Sequence, residues 1–279
     1  MKPLLEHLAY KNRACPVIIR WVKGKINKTR KLYCLAHHRE VEFLYIKEGQ
    51  ASYYLNGKKY HLGKHALLFI RPYEMHTFIP CPDSYLEKCR ISFPWSFLKE
   101  NRQRLRFPPD FPRHIQLSES EAMKVEIIII HCLQEEKEKK SYWIDIIREK
   151  LKEFVFLIKR AGQRPEPPRR ENPIASQLVD YLEKNYTQSL PIPLLAQKFG
   201  FSNNYLSALF QKHTGVGIKQ YILQRRILEA KKMIDTCPAL KTGVIAEKTG
   251  FDSFVLFNHA FKKFTGLTPG KYRRILYNA

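Results

Sequence analysis

The sequence predicts an α+β chain of two domains: an amino-terminal antiparallel β-barrel with a helical hairpin, then an all-α region built on two helix-turn-helix units. Three observations predict it. Residues 41–93 read as short strands joined by tight turns, the pattern of a small barrel or sandwich. AGQRPEPPRREN (161–172) is a Pro- and charge-rich break that suits a linker. And LAQKFGFSNNYLSALFQKHTG (195–215) is written again, nearly unchanged, as IAEKTGFDSFVLFNHAFKKFTG (245–266). The expected boundaries are therefore 1–160, a linker at 161–172, and 173–279.

Bulk properties agree with a folded chain. Its 279 residues are 44% apolar and 27% charged, enough for two cores. No run approaches the roughly eighteen apolar residues of a membrane span. The opening MKPLLEHLAYKNRACPV breaks its apolar pair with Glu6 and His7, which argues against a secretory leader. Six cysteines lie far apart with no Cys-x-x-Cys, as in a reduced, cytoplasmic protein. The net charge of +23 favours a polyanionic partner. It does not locate the site, because 15 Lys/Arg face 6 Asp/Glu from Pro173 onward and 34 face 20 before it.

Along the first domain, Asn56-Gly57 between two β-rich runs is a strong hairpin signal. HALLFI (65–70) reads as a buried strand that stops at Arg71-Pro72. YLEKCRISF (85–93) alternates Tyr85, Glu87, Cys89, Ile91 and Phe93 against Leu86, Lys88, Arg90 and Ser92. FPPDFP (107–112) is an irregular connector. Ser118 and Glu121 form a capping box that opens a helix. A second helix carries apolar residues at 143, 144, 147, 151, 154, 155 and 158, which is helical spacing. The pair either leaves one face for a partner chain, giving a homodimer through 118–160, or covers the barrel.

In the third region Asn172-Pro173 is an N-cap with a first-turn proline, and Ile174, Leu178, Val179 and Leu182 make the buried stripe. The two copies align at an offset of 50, then 51. Ala196/Ala246, Gly200/Gly250 and Phe201/Phe251 coincide first; Phe210/Phe261, Thr214/Thr265, Gly215/Gly266 and Tyr221/Tyr272 coincide after. Each copy reads as a short helix, a glycine that ends it, an aromatic, a capping Ser202 or Asp252, and a second helix. That is a helix-turn-helix.

In the second helix of copy one, Leu206, Leu209 and Phe210 point inward with Tyr205 beside them. Asn203, Asn204, Ser207, Ala208 and Gln211 share the opposite face, and amide side chains of this kind pair with adenine edges in a major groove. Copy two offers Phe254 and Val255 at its leading edge, with Asn258 and His259 one turn deeper. Lys212, Arg226, Lys262 and Lys263 are candidates for phosphate contacts. Between the copies, YILQRRILEAKKMIDT (221–236) would span roughly 24 Å as a helix. With the flanking helices this sets the reading units about one DNA turn apart, ~34 Å.

Residues 173–279 resemble the AraC/XylS-type DNA-binding domain. GFSNNYLSALFQKHTG, RRILEA, GFDSFVLFNHAFKK and GLTPGKYRR carry the resemblance in order and spacing. Pro191 stands where that family has a Ser/Thr N-cap, and Phe254 and Val255 stand at positions it keeps polar. HHREVEFLYIKEGQASYYLNGKKYHL, LLFIRPYEMH and CRISF resemble the family's cupin-like sensor, with His65-Ala66 replacing its Gly-Asp. The resemblance implies a bacterial transcription regulator, usually an activator. Its partners would then be duplex DNA, a small-molecule effector such as a sugar, and RNA polymerase, with no cofactor.

A cupin-like barrel is also compatible with a metalloenzyme, which wants His-x-His, Glu and a distant His. Here His37 and His38 are adjacent, and Glu42 and His76 are the other available ligands. The alternative is that these residues line or rim a pocket. His38, Tyr54, His76, Phe78, Lys88 and Arg90, with Tyr53 and Trp95 nearby in sequence, would suit a hydroxyl-rich or anionic molecule. RNA-binding signatures such as a Gly-x-x-Gly loop are not present, so duplex DNA is preferred.

Overall fold

The computed structural model describes residues 15–25, 40–81, 84–98, 107–164 and 172–277. Its first part holds strands β1 (Ile18–Lys25), β2 (Val41–Glu48), β3 (Ala51–Leu55), β4 (Lys58–Leu62), β5 (Ala66–Ile70), β6 (His76–Pro80), β7 (Tyr85–Phe93) and β8 (His114–Gln116). They form a five-stranded sheet, β1-β7-β2-β5-β8, and a three-stranded sheet, β4-β3-β6, with every neighbour antiparallel. Asn56 (φ 48°) and Gly57 (φ 75°) both take the left-handed conformation that a two-residue hairpin turn of this kind requires. Leu44, Ile46, Leu68 and Ile70 from one sheet meet Tyr53, Leu55, Tyr60 and Leu62 from the other in a shared core.

The central strands of the long sheet are buried on both faces, because alternate residues serve different cores. In β2, Leu44 and Ile46 point between the sheets, while Val41, Phe43 and Tyr45 point to the helical side. In β7, Cys89, Ile91 and Phe93 join that helical side. Two helices cover it, α1 (Glu119–Glu138) and α2 (Trp143–Ala161). The capping box forms as expected: Ser118 Oγ accepts from Glu121 N, and the Glu121 carboxylate accepts from Ser118 N at 2.8 Å. Phe154 of α2 meets the Phe43 ring edge-on at 5.0 Å. The hairpin thus covers the barrel, and α1 still leaves Met123, Ile127 and Ile130 bare, 62%, 49% and 52% exposed.

The second part holds α3 (Pro173–Asn185), α4 (Ile192–Phe199), α5 (Asn203–Thr214), α6 (Ile218–Thr236), α7 (Thr242–Lys248), α8 (Phe254–Thr265) and α9 (Pro269–Tyr277). Asn172 Oδ1 accepts from Ile174 N and Ala175 N and starts α3. One core gathers Leu178, Val179, Leu182, Leu195, Leu206 and Phe210 around the first unit. Another gathers Ile245, Ala246, Phe257, Phe261 and Tyr272 around the second. The connecting helix α6 serves both: Tyr221, Ile222 and Leu228 enter the first core, and Ile227, Ala230 and Ile234 enter the second.

Candidate nucleic-acid interface

The repeated residues build the same small device twice. Gly200 (φ 74°) ends α4, and Phe201 N donates back to Ala196 O at 2.9 Å; Gly250 (φ 85°) follows α7, and Phe251 N donates to Ala246 O at 3.0 Å. Thr214 Oγ1 donates to Phe210 O at 2.8 Å, and Thr265 Oγ1 donates to Phe261 O at 2.7 Å. Phe210 packs on Tyr221 and Phe261 on Tyr272, with ring centres 5.3 and 5.6 Å apart. The tyrosine hydroxyls then anchor on different helices, Tyr221 on Glu183 of α3 at 2.7 Å and Tyr272 on Asp235 of α6 at 2.9 Å. So α6 does for the second unit what α3 does for the first. One correction follows: α8 is capped by Ser253, whose Oγ accepts from Leu256 N at 3.5 Å, and not by Asp252. The extra residue of copy two precedes the cap, so Ser253 is the counterpart of Ser202.

On α5, Asn203, Asn204, Ala208 and Gln211 are exposed and Ser207 is half-buried, while Leu206 and Phe210 are sealed inside. Among the described residues these polar side chains make no hydrogen bond of their own. Tyr205 does not turn inward; it stacks on Phe201 at 4.9 Å and is half exposed. On α8, Phe254 and Val255 are exposed, and so is Leu256, which sequence reasoning missed. His259 is exposed, but Asn258 Nδ2 donates to Phe254 O at 3.0 Å and is partly spent inside the helix.

Lys212, Lys262 and Lys263 stand exposed on the two reading helices. Arg226 does not stand with them. Its Nε donates to Tyr186 O and its Nη2 to Gln188 O, both at 2.7 Å, so it braces α6 against the turn after α3. Burial holds its guanidinium below the usual range. The reason is local: carbonyls past a helix end need donors, and Arg226 supplies them.

The barrel carries a polar end. His76 Nε2 lies 3.9 Å from Glu42 Oε1, and Arg90 Nε lies 3.8 Å from Glu42 Oε2. The Tyr53 ring stacks on His76 at 5.8 Å. Lys88 Nζ sits 3.4 Å above the centre of the Phe78 ring. Burial pushes the Lys88 ammonium down to about 8, against the opposing pull of Glu42. Burial, then the Glu42 charge, holds the Tyr53 phenol well above its usual range. Of the candidate pocket residues, His76, Phe78, Lys88 and Arg90 therefore meet, joined by Glu42 and Tyr53.

Tyr54 does not meet them, because the next residue along a strand faces the other way; its ring lies against Gly215 of the helical region. Trp95 packs on Phe93 and Phe107 on the helical side. His37 and His38 lie outside the described residues. Among the described residues no group of three His, Cys, Asp or Glu side chains converges as a metal site.

Comparison with known proteins gives two family matches. Residues 28–141 match the family described as AraC-like ligand binding domain, and residues 195–275 match one described as helix-turn-helix domain. The HTH-type transcriptional activator AarP of Providencia stuartii is 35% identical over 103 residues, 37% of this chain and 76% of that protein. The HTH-type transcriptional activator RhaR of Cronobacter sakazakii is 26% identical over 251 residues, 85% of each chain. The Msm operon regulatory protein of Streptococcus mutans is 32% identical over 103 residues, and that match spans 37% of either chain.

Proposed function

The chain belongs to the AraC-type family of helix-turn-helix regulators, and on that premise we propose that it is a sequence-specific activator of transcription working on duplex DNA in the cytoplasm. The observation that carries this reading is the pair of helix-turn-helix units on one connecting helix, with the amide-rich face of α5 bare. The nineteen residues of α6 span roughly 28 Å at 1.5 Å each. That length, plus the flanking helices, suits successive major grooves on one side of a duplex. Among the described residues no helix is long and apolar enough to cross a membrane.

The polar end of the barrel supports a small-molecule effector, hydroxyl-rich or anionic, with sugars as the first class to screen. Arg90 and Lys88 flank the Glu42–His76 pair, and two cations there oppose a divalent metal, which favours a sensor over an enzyme. The bare α1 ridge of Met123, Ile127 and Ile130 supports a homodimer, and an activator's productive partner is RNA polymerase. The test is binding of the full chain to a mixed-sequence duplex across a salt series. Log affinity should fall linearly with log salt, and Lys212→Ala and Lys263→Ala should each reduce the slope by about one. A folded protein with no salt-sensitive binding would reject the reading.

A further inference from the structure

The β5–β6 connection, Arg71-Pro72-Tyr73-Glu74-Met75, leaves the barrel and enters the helical region. Met75 is 2% exposed and lies in the core of the first helix-turn-helix unit, with Leu178, Val179, Phe210 and Val216. The β3–β4 turn closes on the same unit, where a Cβ added at Gly57 would stand 2.9 Å from Val179 Cγ2. Tyr73 reaches further. Its hydroxyl donates to Asp235 Oδ2 at 3.1 Å, while Tyr272 of the second unit donates to Oδ1 of the same carboxylate. One loop thus plugs the first unit and shares the anchor of the second.

The loop is internally tied and begins at the polar end of the barrel. Glu74 accepts from Arg71 N at 2.7 Å and from Asn56 Nδ2 at 3.2 Å, and pairs with Arg113. Met75 N donates to Asn56 Oδ1 at 3.0 Å, and Asn56 N returns a bond to Met75 O at 2.7 Å. The next residue is His76, whose Nδ1 lies 2.9 Å from Glu74 O and whose other nitrogen faces Glu42. His76 is thus linked to Met75 and Glu74 through a few short bonds. Tyr73 itself sits at φ 62°, a conformation that a bulky side chain keeps only where its surroundings hold it.

We propose that the Arg71–Met75 loop is an autoinhibitory clamp: docked, it fixes the two reading units against the sensor, and its release frees them to fit DNA. Tyr73 and Met75 contact neither the polar face of α5 nor the leading turn of α8, so the docked loop adds nothing to base reading. Met75 also fills part of the first unit's core, so Tyr73→Phe, which leaves that core intact, is the cleaner probe of placement. A duplex that needs another placement must first undo the clamp, so release strengthens binding. The inference rests on the DNA-binding reading above.

The experiment compares full-length wild type, Tyr73→Phe and Tyr73→Phe/Met75→Ala for binding to one mixed-sequence duplex by fluorescence anisotropy, with melting curves to establish folding. Tyr73→Phe removes a single hydroxyl and serves if the double variant fails to fold. The variants should bind tighter, the double variant by about tenfold, within the usual range of coupling between sites. Hydrogen exchange gives a second readout: the Asn56 and Met75 amides of wild type should lose protection when it is saturated with duplex. Folded variants that bind equally or more weakly, or amides that keep their protection on DNA, overturn the clamp. Wild type that binds no duplex overturns the underlying reading, and the clamp with it.

Discussion

The two reading helices should divide base recognition unequally, and Asn204→Ala against Phe254→Ala tests it. Asn204 is exposed and makes no side-chain hydrogen bond among the described residues, so its removal leaves the fold intact. A good bidentate amide–adenine pair is worth about 1–3 kcal/mol, or ~5- to 150-fold discrimination at one position. The second helix matches this less well. Asn258 already donates one of its two amide hydrogens to Phe254 O at 3.0 Å, so a bidentate base contact must compete with that bond for the orientation of the side chain. Phe254, Val255 and Leu256 are exposed and can touch a thymine methyl, worth about 0.8 kcal/mol for one buried carbon, or ~fourfold. The assay is selection of preferred sites from a random duplex library, sequenced for wild type and both variants, with melting curves alongside. Asn204→Ala should relax one or two positions in the half-site read by α5; Phe254→Ala should at most soften a thymine preference. Sharp loss of preference at several positions from Phe254→Ala, in a protein that stays folded, would refute the unequal division.

Three further outcomes are expected. Gly200→Ala should cost about 1–2 kcal/mol, the left-handed penalty alone, because nothing lies within 4 Å of the added Cβ. Gly250→Ala should cost several-fold more in a thermal melt, since its Cβ would stand 2.4 Å from Thr187 O; equal effects would show that the two turns are not packed as described. Lys88, held down to about 8 in the folded protein against about 10.4 when unfolded, carries a burial penalty that is fully present below pH 8 and relieved as pH rises above it. Wild type should therefore gain up to about 3 kcal/mol between pH 7 and 10 relative to Lys88→Met, measured by denaturant titration, and parallel pH profiles would sink the assignment. If the α1 ridge is a dimer interface, Ile127→Asp should give a folded monomer by light scattering, with a melting temperature lowered only by the lost association, whereas a protein still dimeric would move the interface elsewhere.

The repeat was legible because it encodes cores and turns, which impose residue types. Phe210/Phe261, Thr214/Thr265, Gly215/Gly266 and Tyr221/Tyr272 recur since each helix-turn-helix needs an inward ring, a hydroxyl bonded to its own helix, a left-handed glycine and an anchored tyrosine. Periodicity also gave the two faces of β7 and the buried side of α2. It could not say what lies across from a face. Tyr53 and Tyr54 are adjacent tyrosines in one strand, and pattern alone cannot tell which meets His76 and which meets Gly215 of another domain.

Arg226 takes on a bracing role that the sequence does not show, for a related reason. A cation on a connecting helix of a DNA-binding region looks available to phosphate, yet the carbonyls of Tyr186 and Gln188 lie past the end of α3 and need donors. Nothing in residues 186–191 singles out this pairing: the segment carries its own hydroxyl and amide donors, and only the packing of α6 against it brings Arg226 to the two carbonyls. Charge in this chain is abundant enough that its sum points to DNA, while the role of each cation is decided by the nearest unsatisfied oxygen.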